Sequence, residues 1–204
     1  MQLPIDINTV KGFMPETEGK KLFFAAGQRA GLGPCLEIGS YCGKSAVYLG
    51  SACKAAGGVL FTIDHHRGSE ETQPGWEYHD PETWDTGAGA MDTLPFLRDT
   101  LRRADLEQTV IPMVGQSQTI AKYWTTPLSL LFIDGGHSRE EAHGDWHAWK
   151  DKLMPGGWLA IHDVFPNPDD GGRPPFEIYE MALAEGFGEI GAEGSLRILE
   201  YATP

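Results

Sequence analysis

Cys35-Leu36-Glu37-Ile38-Gly39-Ser40-Tyr41-Cys42-Gly43-Lys44-Ser45 reads as a short apolar strand ending on an acidic side chain, a turn with two glycines, and a helix that opens at Lys44. In α/β proteins that order grips a nucleotide-type ligand. Gly39 lets the backbone turn without a Cβ penalty, Gly43 permits close approach, and the first helical N–H groups are free to meet an anion. Which ligand sits at this turn decides what the chain does.

Outward from the turn, apolar runs ending near Glu37, Asp64, Val114, Asp134 and Asp163 alternate with segments of helical period. This pattern predicts repeated β-α units on a mostly parallel, doubly covered sheet. Ligands of such sheets bind beyond the carboxyl ends of the strands, so Glu37, Asp64, Gly115, Asp134 and Asp163 are expected to converge on one crevice. A helix is expected from Ser138 to about Leu153, with Ser138 and Glu141 as a capping box and Ala142, Trp146, Trp149 and Leu153 as its apolar stripe. A shorter helix is expected near Pro15, packed beside the first strand. The tail reads as a helix over Phe176–Glu185 and an extended run over Ser195–Glu200 that closes the sheet through a hairpin near Glu193-Gly194.

Residues 65–90 form a connection far longer than the ~2–6 residues usual between a strand and a helix. The segment carries Trp76, Tyr78 and Trp84 among Glu70, Glu71, Glu77, Asp80, Glu82 and Asp85. Such a mixture suits a lid that stacks on the face of a polyol while hydrogen-bonding its hydroxyls.

The chain has 204 residues, 41% apolar and 22% charged, and a formal charge of −13. This is enough for a single domain spanning residues 1–204 with a full core. The acidic balance disfavours nucleic acid and anionic membrane as partners and favours neutral or cationic ligands or a divalent metal. With neither a signal-like N-terminus nor an apolar run of membrane-spanning length, a cytoplasmic protein is expected. Cys35, Cys42 and Cys53 are read as reduced, buried thiols. Phe13, Phe23 and Phe24 are compatible with packing inside the domain or across a homodimer.

Three ligands compete for the glycine turn. A Walker A loop is excluded by counting, because three residues lie between Gly39 and Gly43 where the phosphate nest needs four. A dinucleotide fold is excluded by context, because Gly31-x-Gly33 precedes the strand. S-adenosylmethionine fits the charges: Glu37 takes the ammonium group, directly or through water, and Ser45 with the helix N-terminus takes the carboxylate. Asp64, at the end of the next strand, takes the ribose hydroxyls, and Gly115, Ser117 and Gln118 line the adenine.

Leu36 to Val47 closely resembles the cofactor loop of catechol O-methyltransferase, and Val114-Gly115-Gln116-Ser117-Gln118 resembles its adenine-contact turn. The resemblance spans roughly residues 34–165. It implies a class I methyltransferase fold, a Rossmann-like seven-stranded sheet whose last strand is antiparallel, with Gly39, Ser40, Tyr41 and Gly43 completing the cofactor loop.

In metal-dependent members of that family, an Asp after the fourth strand and an acidic or amide pair after the fifth hold Mg²⁺. By resemblance these are Asp134 and the pair His162-Asp163, and the general base three residues after the first Asp is His137. Because Mg²⁺ prefers oxygen, His162 in that pair leaves Mn²⁺ open as the metal and an outer position open for the histidine. Macrolide sugar O-methyltransferases share the His, and the segment from Asp64 to Asp80 looks like small actinobacterial sugar methyltransferases of methylmannose polysaccharide synthesis. The implied acceptor is a saccharide hydroxyl, with O-1 of a 3-O-methylmannoside the specific expectation. A phenolic or polyketide hydroxyl is the alternative acceptor, and a non-catalytic sensor or scaffold that binds S-adenosylmethionine is the alternative outside enzymes. His143 and His147, although spaced i, i+4, lack the Glu of a zinc-protease helix and are read as surface or core-edge residues.

Overall fold

The apolar runs pair into one seven-stranded mixed sheet. The computed structural model describes residues 1–69, 72–76 and 79–201. Its strands are β1 (Cys35–Ile38), β2 (Leu60–Asp64), the short β3 (Trp84–Asp85) and β4 (Ala90–Met91), β5 (Val110–Val114), β6 (Leu128–Ile133), β7 (Leu153–Ile161), β8 (Phe187–Glu193) and β9 (Leu196–Tyr201). The main sheet runs β5-β2-β1-β6-β7-β9-β8, while β3 and β4 form a separate ribbon. Strands β5, β2, β1, β6 and β7 pair in parallel, and β9 runs antiparallel to both β7 and β8. This is the α/β architecture of class I methyltransferases, with the last strand reversed as expected.

Helices cover both faces: α1 (Glu16–Arg29), α2 (Lys44–Ala56), α3 (Leu94–Arg103), α4 (Ser117–Ala121), α5 (Arg139–Trp149) and α6 (Pro174–Ala184). The two-residue period of a strand sorts the core into two layers. Along β6, Leu130 and Phe132 join Leu22 of α1 and Val47 of α2, whereas Leu131 and Ile133 join Trp146 of α5 and Ile178 of α6. The same alternation sends Leu36 and Ile38 of β1 to the α5 side and Cys35 to the α1 and α2 side. Glu37 therefore points under α2.

Two helix expectations need correction. The N-terminal helix α1 is the longest of the six, at 14 residues against 11 for α5, and it lies against α2. Helix α5 stops at Trp149, a 3-10 turn follows over Lys150–Lys152, and Leu153 opens β7. Leu153 fits the helical stripe, but pairing with Leu128 on β6 claims it for the sheet. At the other end of α5, Ser138 accepts from the Glu141 N–H at 3.2 Å, and the Glu141 carboxylate accepts from the Ser138 hydroxyl at 3.0 Å. The carboxylate thus meets the hydroxyl rather than the Ser138 N–H of a full capping box.

The described residues of 65–90 are more structured than an open loop. The segment contains a 3-10 turn at Pro81–Thr83 and the β3/β4 ribbon, and Arg67 donates to the Met91 carbonyl at 3.0 Å. Lys11 Nζ reaches Asp80 and Glu82, each at 2.6 Å, tying the N-terminal strap to it. All three cysteines are free and buried. Phe23 packs against the core, while Phe13 and Phe24 are exposed. Among the described residues, no helix is long and apolar enough to cross a membrane.

Candidate active site

A cavity of about 430 Å³ opens beyond the carboxyl ends of the parallel strands. That volume lies in the range of small-molecule sites. The glycine turn forms its floor, with Gly39 at φ 89° and Gly43 at φ 92°, both left-handed. The space beside each glycine is filled by protein rather than left for a ligand. A Cβ on Gly39 would lie 2.0 Å from the Asp134 carbonyl oxygen, and one on Gly43 would lie 2.8 Å from Leu97 of α3. The close approach expected at Gly43 is therefore to a helix, and Gly39 is what lets β6 deliver Asp134 to the cavity.

Glu37, expected at the crevice, does not line it: it is fully buried beneath this turn, accepts from the Thr62 hydroxyl at 2.6 Å, and keeps Oε1 without a hydrogen-bond partner. Burial pushes its carboxyl up to about 7, and the Ser45 and Thr62 hydroxyls oppose the rise. Ser40 Oγ, also buried and without a hydrogen-bond partner, sits on the same turn. A buried polar atom left unsatisfied is costly unless a ligand or water completes it.

Beside the turn, Asp64 is held by the Tyr41 N–H on Oδ2 at 2.9 Å and by the His66 N–H on Oδ1 at 2.7 Å. Each oxygen retains a second lone pair for the cavity that Asp64 lines. Gly115, Ser117 and Gln118 line the same space, and so does Ser45. Asp145 of α5, which the sequence did not single out, joins them there. It is buried, and burial pushes its carboxyl up to about 6 while the Ser117 hydroxyl opposes the rise.

Beyond β6 and β7, one oxygen or nitrogen from each of Asp134, His162 and Asp163 lies within 4.8 Å of the others. His162 Nδ1 is 3.0 Å from Asp134 Oδ1 and 3.3 Å from Asp163 Oδ2. Two carboxylates and an imidazole are a donor set for a divalent cation of mixed oxygen and nitrogen preference, so the residues fit a metal. Burial alone would push the His162 imidazole down, but Asp134, Asp163 and Glu18 raise it to about 12. Asp163 also stands 3.2 Å from His137 Nε2. Burial pushes its carboxyl up, yet the hydrogen bonds from His137 and His162 hold it well below the usual range.

Tyr41, His66 and Asp163 take positive φ values of 45°, 60° and 55° although none is glycine. Strained backbone gathers at sites where surrounding structure over-determines it, and these three flank the cavity's contacts.

The structure does not bring every expected residue to the cavity. Trp76 is 54% exposed, and Trp84 is turned edge-on to His79, with ring centroids 5.9 Å apart. Neither lines the cavity, and Gly68, Ser69 and Thr72 from the same segment do. Tyr78, Glu70, Glu71 and Glu77 lie outside the described residues. The opposite wall comes from the strap Lys11–Met14 and from Phe165 and Asp170–Gly172, none of which carries a motif. His143 binds Glu177 of α6 at 2.8 Å and His147 is exposed, so the pair makes no metal site.

A family profile described as methyltransferase domain matches residues 36–164. The chain belongs to the methyltransferase-domain family. Solved structures agree on the fold of this methyltransferase. The O-methyltransferase TomG from Streptomyces achromogenes, involved in tomaymycin synthesis and solved with S-adenosylmethionine, is 18% identical, with 94% of this chain and 82% of that chain covered and a TM-score of 0.64. An O-methyltransferase from Bacillus cereus, solved with S-adenosylhomocysteine, is 17% identical over 95% of this chain and 84% of that one, with a TM-score of 0.64. The S-adenosylhomocysteine-bound Podospora anserina methyltransferase PaMTH1 is 14% identical over 94% and 80%, with a TM-score of 0.66.

Proposed function

We propose that this methyltransferase moves the methyl group of S-adenosylmethionine onto a hydroxyl oxygen of a saccharide, assisted by a divalent metal. The observation that carries the reading is the meeting of two half-sites in one cavity. The glycine turn, with Ser40 at the cavity wall and Glu37 buried beneath it, shares that cavity with Asp134, His137 and Asp163.

Glu37, ionised by the arrival of a cation, balances the ammonium group, and Ser45 with the start of α2 receives the carboxylate. Asp64 holds the ribose, and Gln118 with Asp145 faces the base. S-adenosylmethionine supplies an electrophilic methyl carbon on a sulfonium. A metal held by Asp134, His162 and Asp163 would lower the pKa of a hydroxyl bound to it. The acceptor oxygen forms the new bond to carbon as the carbon–sulfur pair leaves to sulfur, and the hydroxyl proton passes to His137. The Asp163 carboxylate beside Nε2 stabilises the imidazolium that results.

The acceptor assignment rests on resemblance and on the character of the wall. Ser69, Thr72 and Asp170 offer hydroxyls and a carboxylate, partners for a neutral polyol, with O-1 of a 3-O-methylmannoside the specific candidate. Mn²⁺ suits the donor set better than Mg²⁺. Reduced, buried cysteines suit action in the cytoplasm. The test is methyl transfer to a panel of partly methylated mannosides and of catechols, with and without EDTA. Metal-dependent turnover on mannosides supports the proposal. Turnover on catechols alone replaces the acceptor class.

A further inference from the structure

The N-terminal helix contributes a buried carboxylate to this site that no motif announced. Glu18 of α1 is only 3% exposed, and both its oxygens are engaged. Oε1 accepts from the Ser195 N–H at 2.6 Å and from the Ser195 hydroxyl at 3.2 Å. Oε2 stands 2.5 Å from His162 Nε2. The turn between β8 and β9 is shaped around this carboxylate, since a Cβ on Gly194 would fall 2.1 Å from Oε1. Glu18 is thus clamped at one end by the last hairpin and presents its other oxygen to the ring.

We infer that Glu18 is the positioning residue that makes His162 a metal ligand through Nδ1, an inference that rests on the metal-assisted reading above. With Nε2–H donated to Glu18, a metal that displaced the Nδ1 proton would find the Nδ1 lone pair beside Asp134 Oδ1 and Asp163 Oδ2, at 3.0 and 3.3 Å. The three donor atoms lie within 4.8 Å of one another, so a divalent cation would take the place of a proton among them. A carboxylate behind the ring fixes the tautomer, aims the free nitrogen and raises its basicity. An imidazole in the set also tilts selection from Mg²⁺ toward Mn²⁺.

The test titrates Mn²⁺ into the full chain, followed by electron paramagnetic resonance. Pulsed spectra of the wild type should show a histidine nitrogen coupled to the metal, and His162→Asn should remove that coupling. Glu18→Gln should weaken Mn²⁺ binding about 10–100-fold in the wild-type background and leave it unchanged in the His162→Asn background. A merely structural Glu18 would produce equal losses in both backgrounds, which overturns the inference, as does an unchanged affinity. Should Glu18→Gln not fold, the nitrogen coupling of the wild type and its loss in His162→Asn decide the point; absence of coupling overturns it. The parent reading fails separately: it falls if the wild type binds no Mn²⁺ or if Asp134→Ala leaves binding intact. Loss in Asp134→Ala with no effect of Glu18→Gln sinks only the role of Glu18.

Discussion

Asp134 reaches the cavity only because Gly39 has no side chain. Gly39→Ala would set a methyl group 2.0 Å from the Asp134 carbonyl on a left-handed backbone. Left-handed strain of about 1–2 kcal/mol and overpacking of about 1–3 kcal/mol add there, so denaturant titration should show a loss of at least about 2 kcal/mol. His137→Ala has a different signature: kcat should fall about 10²–10⁴-fold while calorimetry finds cofactor affinity within about twofold. Glu37 gives a pH test. Its carboxyl keeps its proton to about 7 in the fold, against 4.5 ordinarily. Stability from a raised carboxyl is full below the unfolded value and is lost as pH climbs through the folded one, here up to about 3 kcal/mol between pH 4.5 and 7. Melting curves of wild type minus Glu37→Gln should reveal that loss. At this scale Asp64 was legible at the cavity from its place at a strand end, whereas the burial of Glu37 beneath the turn was not. Glu18 was not, because its partner His162 is 144 positions away and only the folded sheet brings them together.

Among the elements, the strands were the most legible, because burial on both faces makes continuous apolar runs that end where polar residues begin. The extent of α5 was less so, since the claim of β6 on Leu153 is a tertiary pairing invisible to helical period. Trp76 and Trp84 stand outside the cavity for a similar reason. Composition suggested a stacking lid, whereas the β3/β4 ribbon sets Trp84 against His79 and the polar residues Ser69 and Thr72 face inward. The strap and this segment are joined by Lys11 with Asp80 and Glu82. The side chains of Lys11 and Asp80 are part-exposed, so the link contributes about 0.2–1 kcal/mol and local cohesion more than global stability. Lys11→Met should speed proteolysis within 65–90 and raise the KM for cofactor while the melting temperature moves little.

The whole molecule lines one cavity with both the turn and the acidic cluster with two histidines, so one chain holds both a methyl donor's anchor and a base. Chelation should therefore separate the halves: EDTA should depress kcat, Mn²⁺ should restore it, and cofactor binding should be nearly unaffected. The central claim is that the cavity takes S-adenosylmethionine across the glycine turn, and calorimetric titration of the wild type and Asp64→Ala tests it most directly. One-site binding to the wild type is expected, with a loss of at least about tenfold in Asp64→Ala, the cost of charge-assisted hydrogen bonds to two hydroxyls. No binding to the wild type, or equal affinity in Asp64→Ala, would contradict it.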